Sequence, residues 1–453
     1  MTTPTSTAPD FTALDPADLD ELAARLSPGA LTTDPDVIDA HSSDEALFCP
    51  REGAIALVRA ASAEDVQEVM RFASAHRVPV VPQGARSGIS GGANASPGAI
   101  LLNVSKMKDV VAVNEAERLV TVQPGIINQD LKDHLAPFGL SYPPDPGSVA
   151  LSSIGGNIAT NAGGLCCVKY GVTRDYVRSL KVVLADGTIT TLGPQTAKGV
   201  AGLDMRQLFV GSEGTLGIVI EATLRLVPAL PDPFTAIATF PDERSGLQTV
   251  ADFMAGGGVP SLFEFLDGAS LRMLNDFGDF GLDGDAGAML IMQVDDNPTD
   301  AEAAMSTFTE VAQRCGALDV AYSDDPSDSA ALITARRMIQ PAYEKFATAH
   351  GGGQSKGLEN MPSRRSADAG IDEFLREKDA GIGYAVRVAG CDPRGRYSPH
   401  ASRIRTARNR VALHLGSASR VAQTSPPHPS LVTSSSLRPP FSRLFGLRRS
   451  VRA

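Results

Sequence analysis

Glycine, serine and asparagine are concentrated in two segments of the chain, and residues of these types bind anionic or polar ligands through the main chain. The first segment is PQGARSGISGG (residues 82–92), and the second spans Ser141–Gly171. A glycine in regular structure costs about 0.5–1 kcal/mol relative to alanine, so clustered glycines are expected where a backbone approaches a ligand closely. In the first segment, backbone N–H groups and the hydroxyls of Ser87 and Ser90 could together bind a phosphate. An ordinary flexible loop is the alternative interpretation of this segment taken alone.

The spacing of the glycines argues against three known motifs. A Walker A loop needs Gly-Lys followed by Ser or Thr, which the chain lacks. A dinucleotide-binding G-x-G-x-x-G is absent from the first strand-to-helix turn, where a Rossmann fold requires it. Residues 88–92 (GISGG) do match the G-x-S-x-G elbow of serine hydrolases, but Pro82–Ser87 separate them from the preceding strand, and Pro97 follows soon after. A serine hydrolase is therefore disfavoured.

The first glycine-rich segment follows a predicted β-α-β unit. Apolar runs predict strands at Ala54–Ala60 and Val78–Val81, and a cap-like Ser62 predicts an amphipathic helix from there to His76. Farther along, Asp186-Gly187 predicts the turn of a hairpin. The three prolines of PALPDP (228–233) can continue neither a helix nor a sheet, so they predict a domain boundary, after which strand and helix patterns indicate a second, α+β domain.

Three segments together resemble a known family of flavoproteins. They are VPVVPQGARSGISGGA, PPDPGSVALSSIGGNIATNAGGLCCVKYGVTRDYV and GSEGTLGIV. They resemble the flavin-binding segments of the vanillyl-alcohol oxidase/p-cresol methylhydroxylase class, and are most similar to those of FAD-linked D-lactate dehydrogenases and the flavin subunit of glycolate oxidase. The resemblance implies an α+β fold with a two-subdomain FAD-binding domain and an α+β substrate-capping domain. We place an N-terminal tail and helix at 1–49, the FAD domain at 50–228, the cap domain at 233–386 and a basic, irregular tail at 387–453.

The resemblance also assigns roles to the residues of the three segments. Residues 83–87 and Gly91 would hold the FAD pyrophosphate, Pro144, Asp145 and Ser148 would line the adenosine and ribityl side, and residues 213–219 would close the adenine end. Small residues of the second segment would let the main chain lie against the flavin. The predicted FAD-binding residues are Pro82, Gln83, Gly84, Ala85, Arg86, Ser87, Gly88, Ser90, Gly91, Pro144, Asp145, Gly147, Ser148, Ser153, Gly155, Gly156, Asn157, Thr160, Asn161, Gly163, Gly164, Gly171, Glu213, Gly214, Gly217, Ile218 and Val219.

Covalent attachment of the flavin is common in this class and usually uses a histidine of the first segment. No histidine lies between Val78 and Pro97. Cys166 and Cys167 fall in the second segment, and we interpret both as small buried apolar residues. We therefore predict that FAD is bound without a covalent bond.

The expected reaction is oxidation of a D-2-hydroxy acid, such as lactate, glycolate or 2-hydroxyglutarate, to the 2-oxo acid. In ALITARRMIQPAYEKF (331–346), which resembles a family helix, Arg336 occupies the position of the arginine that binds the substrate carboxylate, and Arg337 competes with it. Lys356 falls on a family lysine that would hold the hydroxyl or the carboxylate. Electrons would pass to a quinone, an electron carrier or oxygen. A flavin oxidase of alcohols or alditols, and a flavin-binding subunit without catalysis, stay open as alternatives.

The C-terminal sequence departs from the family. Asn360 stands where the family usually has Asp, and the histidine motif H-x-x-D-G-N-x-H, expected to bind a divalent metal or to serve in proton removal, is absent. His400, His414 and His428 match no local metal motif. From Arg387 onward the chain has 13 Arg, no Lys and one acidic residue. We interpret this tail as a frameshifted or replaced C-terminus, with a basic partner-binding extension as the alternative.

Composition restricts the partners and the compartment. A formal net charge of -11 gives no general support for a nucleic-acid partner. Five cysteines and no C-x-x-C pair predict neither a disulfide framework nor a zinc site. The N-terminus has no signal-peptide pattern and the chain no long apolar run, so we expect a cytoplasmic protein, with peripheral association at a membrane left open. A homodimer and partner subunits are both compatible with the sequence.

Overall fold

The first sheet contains the strands of the predicted β-α-β unit. The computed structural model describes residues 14–46, 49–194, 196, 199–278, 280–349 and 448–449. Strands β2, β3 and β4 run parallel, β1 is antiparallel at the edge, and the order is β1-β2-β4-β3. The elements are α1 (Pro16–Arg25), β1 (Leu31–Thr32), α2 (Pro35–Asp39), β2 (Ala56–Arg59), α3 (Ala63–His76), β3 (Val80–Gln83) and β4 (Ile100–Asn103).

Local sequence explains the limits of helix α3. The Ser62 hydroxyl accepts a hydrogen bond from the Asp65 N–H, as predicted for the N-cap, and the helix ends at Arg77 in a left-handed conformation. Its apolar face packs on the sheet together with Leu22 of α1, which is fully buried. Helix α1 and strand β1, which precede the predicted start of the FAD domain at residue 50, are thus part of the same core.

An antiparallel sheet follows, in the order β5-β6-β10-β8-β9. Strands β8 and β9 form the predicted hairpin, and Gly187 in the turn has a φ of 80°. A short pair, β7 with β11, extends this part of the chain. The elements are β5 (Val110–Asn114), β6 (Leu119–Val122), α4 (Asn128–Leu135), a 3-10 turn (Ala136–Phe138), β7 (Leu140–Ser141), α5 (Ile154–Thr160), α6 (Cys167–Tyr170), α7 (Thr173–Tyr176), β8 (Val177–Val183), β9 (Ile189–Leu192), α8 (Arg206–Phe209), β10 (Ile218–Arg225) and β11 (Val227–Pro228).

The second domain is an antiparallel sheet with helices on both faces. The strand order is β13-β14-β12-β15-β16. Every residue of β14 is buried, and the strand's alternate side chains belong to two different apolar clusters, one with α9 and α11 and one with α10, α12 and α13. The elements are β12 (Phe234–Phe240), α9 (Glu243–Ala255), β13 (Leu262–Asp267), α10 (Gly268–Phe277), β14 (Ala288–Val294), α11 (Pro298–Arg314), β15 (Asp319–Ser323), α12 (Pro326–Arg337), α13 (Ile339–Ala349) and β16 (Arg448–Arg449).

Two details differ from the sequence predictions. The segment 331–346, expected to be one helix, is divided between α12 and α13 at Met338. Pro341 explains the break, because proline lacks an N–H and its ring would collide with the carbonyl group of Arg337 in a continuous helix. The tail, predicted to be irregular, contributes the two-residue strand β16, which pairs with β15.

The two domains share part of one core. Leu165, from the second glycine-rich segment of the first domain, belongs to the apolar cluster that contains Leu262, Leu271 and Leu332 of the second domain. Among the described residues, no helix combines the length and the apolar character needed to cross a membrane.

Candidate functional site

The three glycine-rich segments meet around one cleft in the first domain. The cleft is partly open to solvent and has an empty volume of about 1060 Å³. The predicted residues that line it are Pro82, Gln83, Gly84, Ala85, Arg86, Ser87, Gly88, Ser90, Ser148, Ser153, Gly155, Gly156, Asn157, Thr160, Glu213, Gly214, Gly217, Ile218 and Val219.

Ser153 joins the first two segments. Its hydroxyl caps helix α5 by accepting from the Gly156 N–H at 3.3 Å, and it also accepts from the Ala85 N–H at 3.3 Å. A Cβ on Gly84 would lie 2.3 Å from this hydroxyl, and a Cβ on Gly155 would lie 2.6 Å from Cβ of Pro124. Glycine at these positions therefore lets the segments pack closely and keeps the floor of the cleft free of side chains.

Two non-glycine residues of the cleft adopt the left-handed backbone region. The φ angles are 60° at Arg86 and 54° at Glu213. Such conformations cost about 1–3 kcal/mol and are concentrated at ligand-binding sites. The Arg86 guanidinium donates to the Ala40 carbonyl oxygen at 2.7 Å, so its side chain ties the first segment to the N-terminal region.

Three buried polar atoms of residues that line the cleft have no hydrogen-bond partner among the residues that the structure describes. They are Oε1 of Gln83, Oγ of Ser152 and Nδ2 of Asn157. The amide nitrogen of Gln83 is already used, because it donates to the carbonyl oxygens of His41 and Ala93 at 2.8 Å each. Buried polar atoms are nearly always hydrogen-bonded in native proteins, so a polar ligand that lies along the cleft would satisfy them.

Several residues of the cleft were not predicted. Asp44 reaches it from the N-terminal segment, Pro124 and Ser152 lie beside α5, and Phe209 lies at the end of α8. Burial raises the pKa of Asp44, against the effect of backbone hydrogen bonds. The segment 88–92 forms neither a strand nor a helix, and β3 ends at Gln83. The strand-to-helix elbow of a serine hydrolase is therefore not formed there.

Eight predicted residues lie outside the lining of the cleft, and several of them pack tightly against neighbouring segments. A Cβ on Gly91 would meet Cβ of Cys49 at 2.7 Å, and one on Gly164 would meet the Asp145 carbonyl oxygen at 2.2 Å. Asn161 caps α5 in a left-handed conformation. Gly91, Gly164 and Asn161 thus take part in packing around the cleft rather than forming its surface. The eight residues are Gly91, Pro144, Asp145, Gly147, Asn161, Gly163, Gly164 and Gly171.

A charged cluster lies where the two domains meet. Asp145 accepts a hydrogen bond from the Cys166 N–H at 3.0 Å, and Arg337 of α12 approaches its other oxygen at 3.6 Å. Lys132 is close by and donates to the carbonyl oxygens of Tyr142 and Pro143. Burial raises the pKa of Asp145 and lowers that of Lys132, and burial beside Asp145 raises the pKa of the Cys166 thiol.

Arg336, the predicted carboxylate-binding residue, faces the second domain. Its Nε donates to Oε2 of Glu264 at 2.8 Å, and its Nη2 lies 2.6 Å from the same oxygen. Lys356, the other residue predicted to contact the substrate, lies outside the described residues. So do Asn360 and the three histidines of the tail.

Known proteins match both domains. Family models described as an FAD binding domain and as the C-terminal domain of FAD linked oxidases match residues 54–193 and 233–356. The D-2-hydroxyglutarate dehydrogenase of Stutzerimonas stutzeri is 33% identical over 374 residues, which cover 82% of this chain and 77% of that relative. The chain belongs to the FAD-linked oxidoreductase family.

Two further comparisons show how much of a relative's length the chain covers and which fold it shares with a solved structure. The glycolate oxidase subunit GlcD of Bacillus subtilis is 39% identical over 306 residues, which cover 68% of this chain and only 63% of that subunit. The structure of p-cresol methylhydroxylase with substrate bound superposes with a TM-score of 0.59 at 15% identity, over 68% of this chain and 65% of that one. The predicted α+β fold of the vanillyl-alcohol oxidase type is thus confirmed for this FAD-linked oxidoreductase.

The cleft of this FAD-linked oxidoreductase fits its cofactor. The glycine-lined floor leaves room for a flat, extended molecule, and Gln83, Ser152 and Asn157 offer it polar atoms that are unpaired within the described part of the chain. The assignment of individual atoms of FAD to these residues stays a prediction, as does the absence of a covalent bond.

The described residues contain no comparable site for the divalent metal that is expected of the family. Among residues 14–349, as far as the structure describes them, no group of three or more His, Cys, Asp and Glu side chains could hold a metal ion. The histidine motif is also missing from the printed sequence. We therefore assign no step to a metal.

Proposed function

We propose that this FAD-linked oxidoreductase oxidises a D-2-hydroxy acid to the corresponding 2-oxo acid. The relatives named for glycolate and 2-hydroxyglutarate support this substrate class at 39% and 33% identity. The structural observation that supports it most is Arg337 at the end of α12, whose Nη2 lies 3.6 Å from Oδ2 of Asp145 in the second flavin segment. A cationic fork next to an FAD cleft is suited to an anionic substrate.

The residues of the chain have separate tasks in this proposal. When bound, FAD would supply the acceptor for the hydride that leaves C2 of the hydroxy acid, and the hydroxyl proton would leave to water as the C2–O bond becomes a carbonyl. The three glycine-rich segments bind the cofactor, while an arginine of α12 binds the substrate carboxylate and so orients C2. The second domain covers the junction and restricts access of water. Lys356 is proposed to bind the hydroxyl or the carboxylate.

The electrons are proposed to leave to a quinone, an electron carrier or oxygen. One of the relatives is named as a subunit of glycolate oxidase. We therefore include partner subunits in the proposal, beside a homodimer.

The decisive experiment is the visible absorbance spectrum of the purified chain, followed by anaerobic addition of D-lactate, glycolate and D-2-hydroxyglutarate in separate samples. Flavin absorbance that bleaches with one acid supports the proposal and identifies the substrate. L-Lactate is the matched control and is expected to leave the spectrum unchanged.

Two other outcomes would contradict the proposal in different ways. Flavin absorbance that persists with every acid but bleaches with an alcohol or an alditol would identify a different flavin oxidase. Absorbance that persists with all of these compounds would identify a chain that binds FAD without oxidising them, which is the outcome expected if the missing histidine motif is indispensable.

A further inference from the structure

We propose that three arginines of the antiparallel sheet form a binding site for a phosphate group, separate from the FAD cleft. Arg118 directly precedes β6, Arg178 belongs to β8 and Arg225 ends β10. Their side chains line a partly open pocket with an empty volume of about 640 Å³, here called the arginine pocket. Its other lining residues are Glu117, Leu119, Leu226 and Val227.

The arginine pocket lies at the opposite end of strand β10 from the FAD cleft. The strand begins at Ile218, which lines the cleft, and ends at Arg225, which lines the pocket. At about 3.3 Å per residue, an extended strand separates these two positions by roughly 20 Å. Among the described residues, none lines both the cleft and the pocket. A ligand in the pocket would therefore leave the site of FAD unobstructed.

A β-bulge places Arg178 in the arginine pocket. The pairing of β8 with β10 omits Arg178, because its two neighbours pair with the consecutive residues Thr223 and Leu224. The guanidinium of Arg206 donates to the carbonyl oxygens of Arg178 and of the preceding residue, at 3.0 and 2.7 Å. Bulges redirect side chains, and this one leaves the side chain of Arg178 in the same pocket as Arg225.

The positive charges of the arginine pocket lack acidic partners. Within the described part of the chain, none of its three arginines forms an ion pair with a carboxylate. The buried Nε atoms of Arg178 and Arg225 also lack a hydrogen-bond partner there. The Arg225 guanidinium lies over the ring of Tyr176, 4.9 Å from its centre, which orients the guanidinium without neutralising it. Because buried N–H groups are nearly always hydrogen-bonded, these donors favour an oxyanion as their partner.

Neighbouring cations strengthen this preference for an anion. Burial lowers the pKa of Arg178, and the charges of Arg225 and Arg206 act in the same direction. Arg206 itself is paired with Asp204 at 2.7 Å, whereas Arg178 and Arg225 repel each other without such compensation. An anion between them would offset this repulsion.

The balance of charge favours a phosphate over a carboxylate. The lining contains three arginines and one acidic residue, Glu117, which leaves two positive charges uncompensated. A phosphate monoester carries a charge of about −1.5 to −2 near pH 7 and offers three acceptor oxygens, whereas a carboxylate carries one charge. Arginine forks bind such oxygens in pairs. Inorganic phosphate, a soluble phosphate monoester and a lipid headgroup all present this chemistry.

The test measures binding of inorganic phosphate to the FAD-loaded protein by isothermal titration calorimetry at constant ionic strength. Arg178→Gln and Arg225→Gln are each expected to weaken phosphate binding at least about tenfold, the effect of losing a charge-assisted hydrogen bond. Arg314→Gln, which removes an exposed arginine at the end of α11, is the control and is expected to bind phosphate as the unsubstituted protein does. Phosphate is expected to leave the flavin absorbance unchanged, because the pocket is remote from the cleft.

Three results would overturn the inference: no phosphate binding by the unsubstituted protein, undiminished binding by Arg178→Gln, or a phosphate-dependent change of the flavin spectrum, which would place the anion in the cleft. If the variants at the two partly buried positions do not fold, Arg118→Gln decides, because this side chain belongs to an exposed residue. It is expected to weaken phosphate binding without lowering the melting temperature, and retained affinity contradicts the proposal.

Further ligands distinguish the sources of the phosphate group. Binding of glycerol 3-phosphate with an affinity at least equal to that of phosphate would support a soluble monoester. Sedimentation with vesicles of phosphatidic acid, but not with vesicles of phosphatidylcholine, would support a lipid headgroup. Binding of polyglutamate by a protein that does not bind phosphate would overturn the proposal in favour of an acidic protein partner.

Discussion

The lack of a Cβ atom at two glycines allows the flavin segments to pack closely. Gly155 lies against Pro124, and Gly84 lies against Ser153, at distances that leave no room for a methyl group. The hydroxyl of Ser153 can rotate, but the backbone of Pro124 cannot move without its neighbours. The two glycines therefore differ in how much a substitution would disturb the cleft.

Gly155→Ala is expected to lower the FAD content of the purified protein and its melting temperature. The added Cβ would lie 2.6 Å from Cβ and 2.9 Å from the carbonyl oxygen of Pro124, and overpacking of this kind costs about 1–3 kcal/mol. Flavin absorbance per protein and thermal denaturation measure the two effects. Gly284→Ala, in an open loop of the second domain, is the matched control. Full FAD content and an unchanged melting temperature in Gly155→Ala would contradict the proposed packing role.

Residue types indicated which segments line the cleft, because glycine has a local reason to occur there, while the binding of FAD by these residues stays a prediction. Nineteen predicted residues line the cleft, whereas Asp44 and Phe209 were missed because they approach from distant parts of the chain without any local pattern. The contact of Arg337 with Asp145 was equally hidden, since it depends on how the two domains pack. Sequence spacing named both arginines of α12 but could not say which one faces the flavin domain.

At the scale of elements, one carboxylate fixes the start of α3. The two oxygens of Asp65 accept from the Ser27 N–H at 2.7 Å and from the Ala61 N–H at 2.8 Å. The side chain thereby connects α3 to the segment between α1 and β1. Burial pushes the pKa of Asp65 upward, but these hydrogen bonds outweigh it, and the pKa is lowered overall.

Asp65→Asn is expected to lower the melting temperature at neutral pH by at least about 2 °C. A carboxyl whose pKa is lower in the folded state contributes stability above its unfolded pKa of about 3.9, and this contribution is lost as the pH falls through the folded value. The difference between the two proteins should therefore shrink below about pH 4. Thermal denaturation across this range measures it, with Glu64→Gln in the same helical turn as the control. A difference that is constant with pH would exclude the carboxylate as its cause.

Helices and strands were predictable from the sequence where the apolar residues had a regular period or a typical turn sequence was present. The amphipathic period of α3 and the Asp186-Gly187 turn gave the correct structures. Helix α10 was missed, and the break between α12 and α13 was overlooked although Pro341 signals it. Proline acts on the carbonyl group four residues earlier, so the break lies at Met338 and not at the proline itself.

At the scale of the whole molecule, the two domains are joined by a buried ionic contact. Lys169 of α6 binds Asp295 at 2.6 Å and Asp296 at 2.9 Å, and the hydroxyl of Tyr170 also donates to Asp295. Asp295 is only 5% exposed, while Asp296 is 42% exposed. Burial lowers the pKa of Lys169, whereas its two carboxylate partners raise it. The carboxylates together outweigh burial, so the pKa of Lys169 is raised overall.

Asp295→Ala is expected to weaken the docking of the domains by about 1.5–3 kcal/mol, the range for hydrogen bonds to charged groups. Because Lys169 and Tyr170 would then lack their shared acceptor, we expect a lower melting temperature and separate unfolding transitions of the two domains. Differential scanning calorimetry measures both. Asp296→Ala, which removes the exposed partner, is the control and should change the transition little. Equal effects of the two substitutions would show that burial of Asp295 is not what couples the domains.

The position of Leu165 restricts how the two domains of these proteins can be separated or exchanged. It lies only three positions after the cleft residue Ala162, yet its side chain completes the core of the neighbouring domain. A flavin domain produced alone would expose this leucine, and a chimaera that exchanges the second domain would need a matching hole among Leu262, Leu271 and Leu332. Recombination between members of the family is thus constrained by this side chain in addition to the ionic contact of Lys169, because the peptide that surrounds the cofactor is also the peptide that fits one domain to the other.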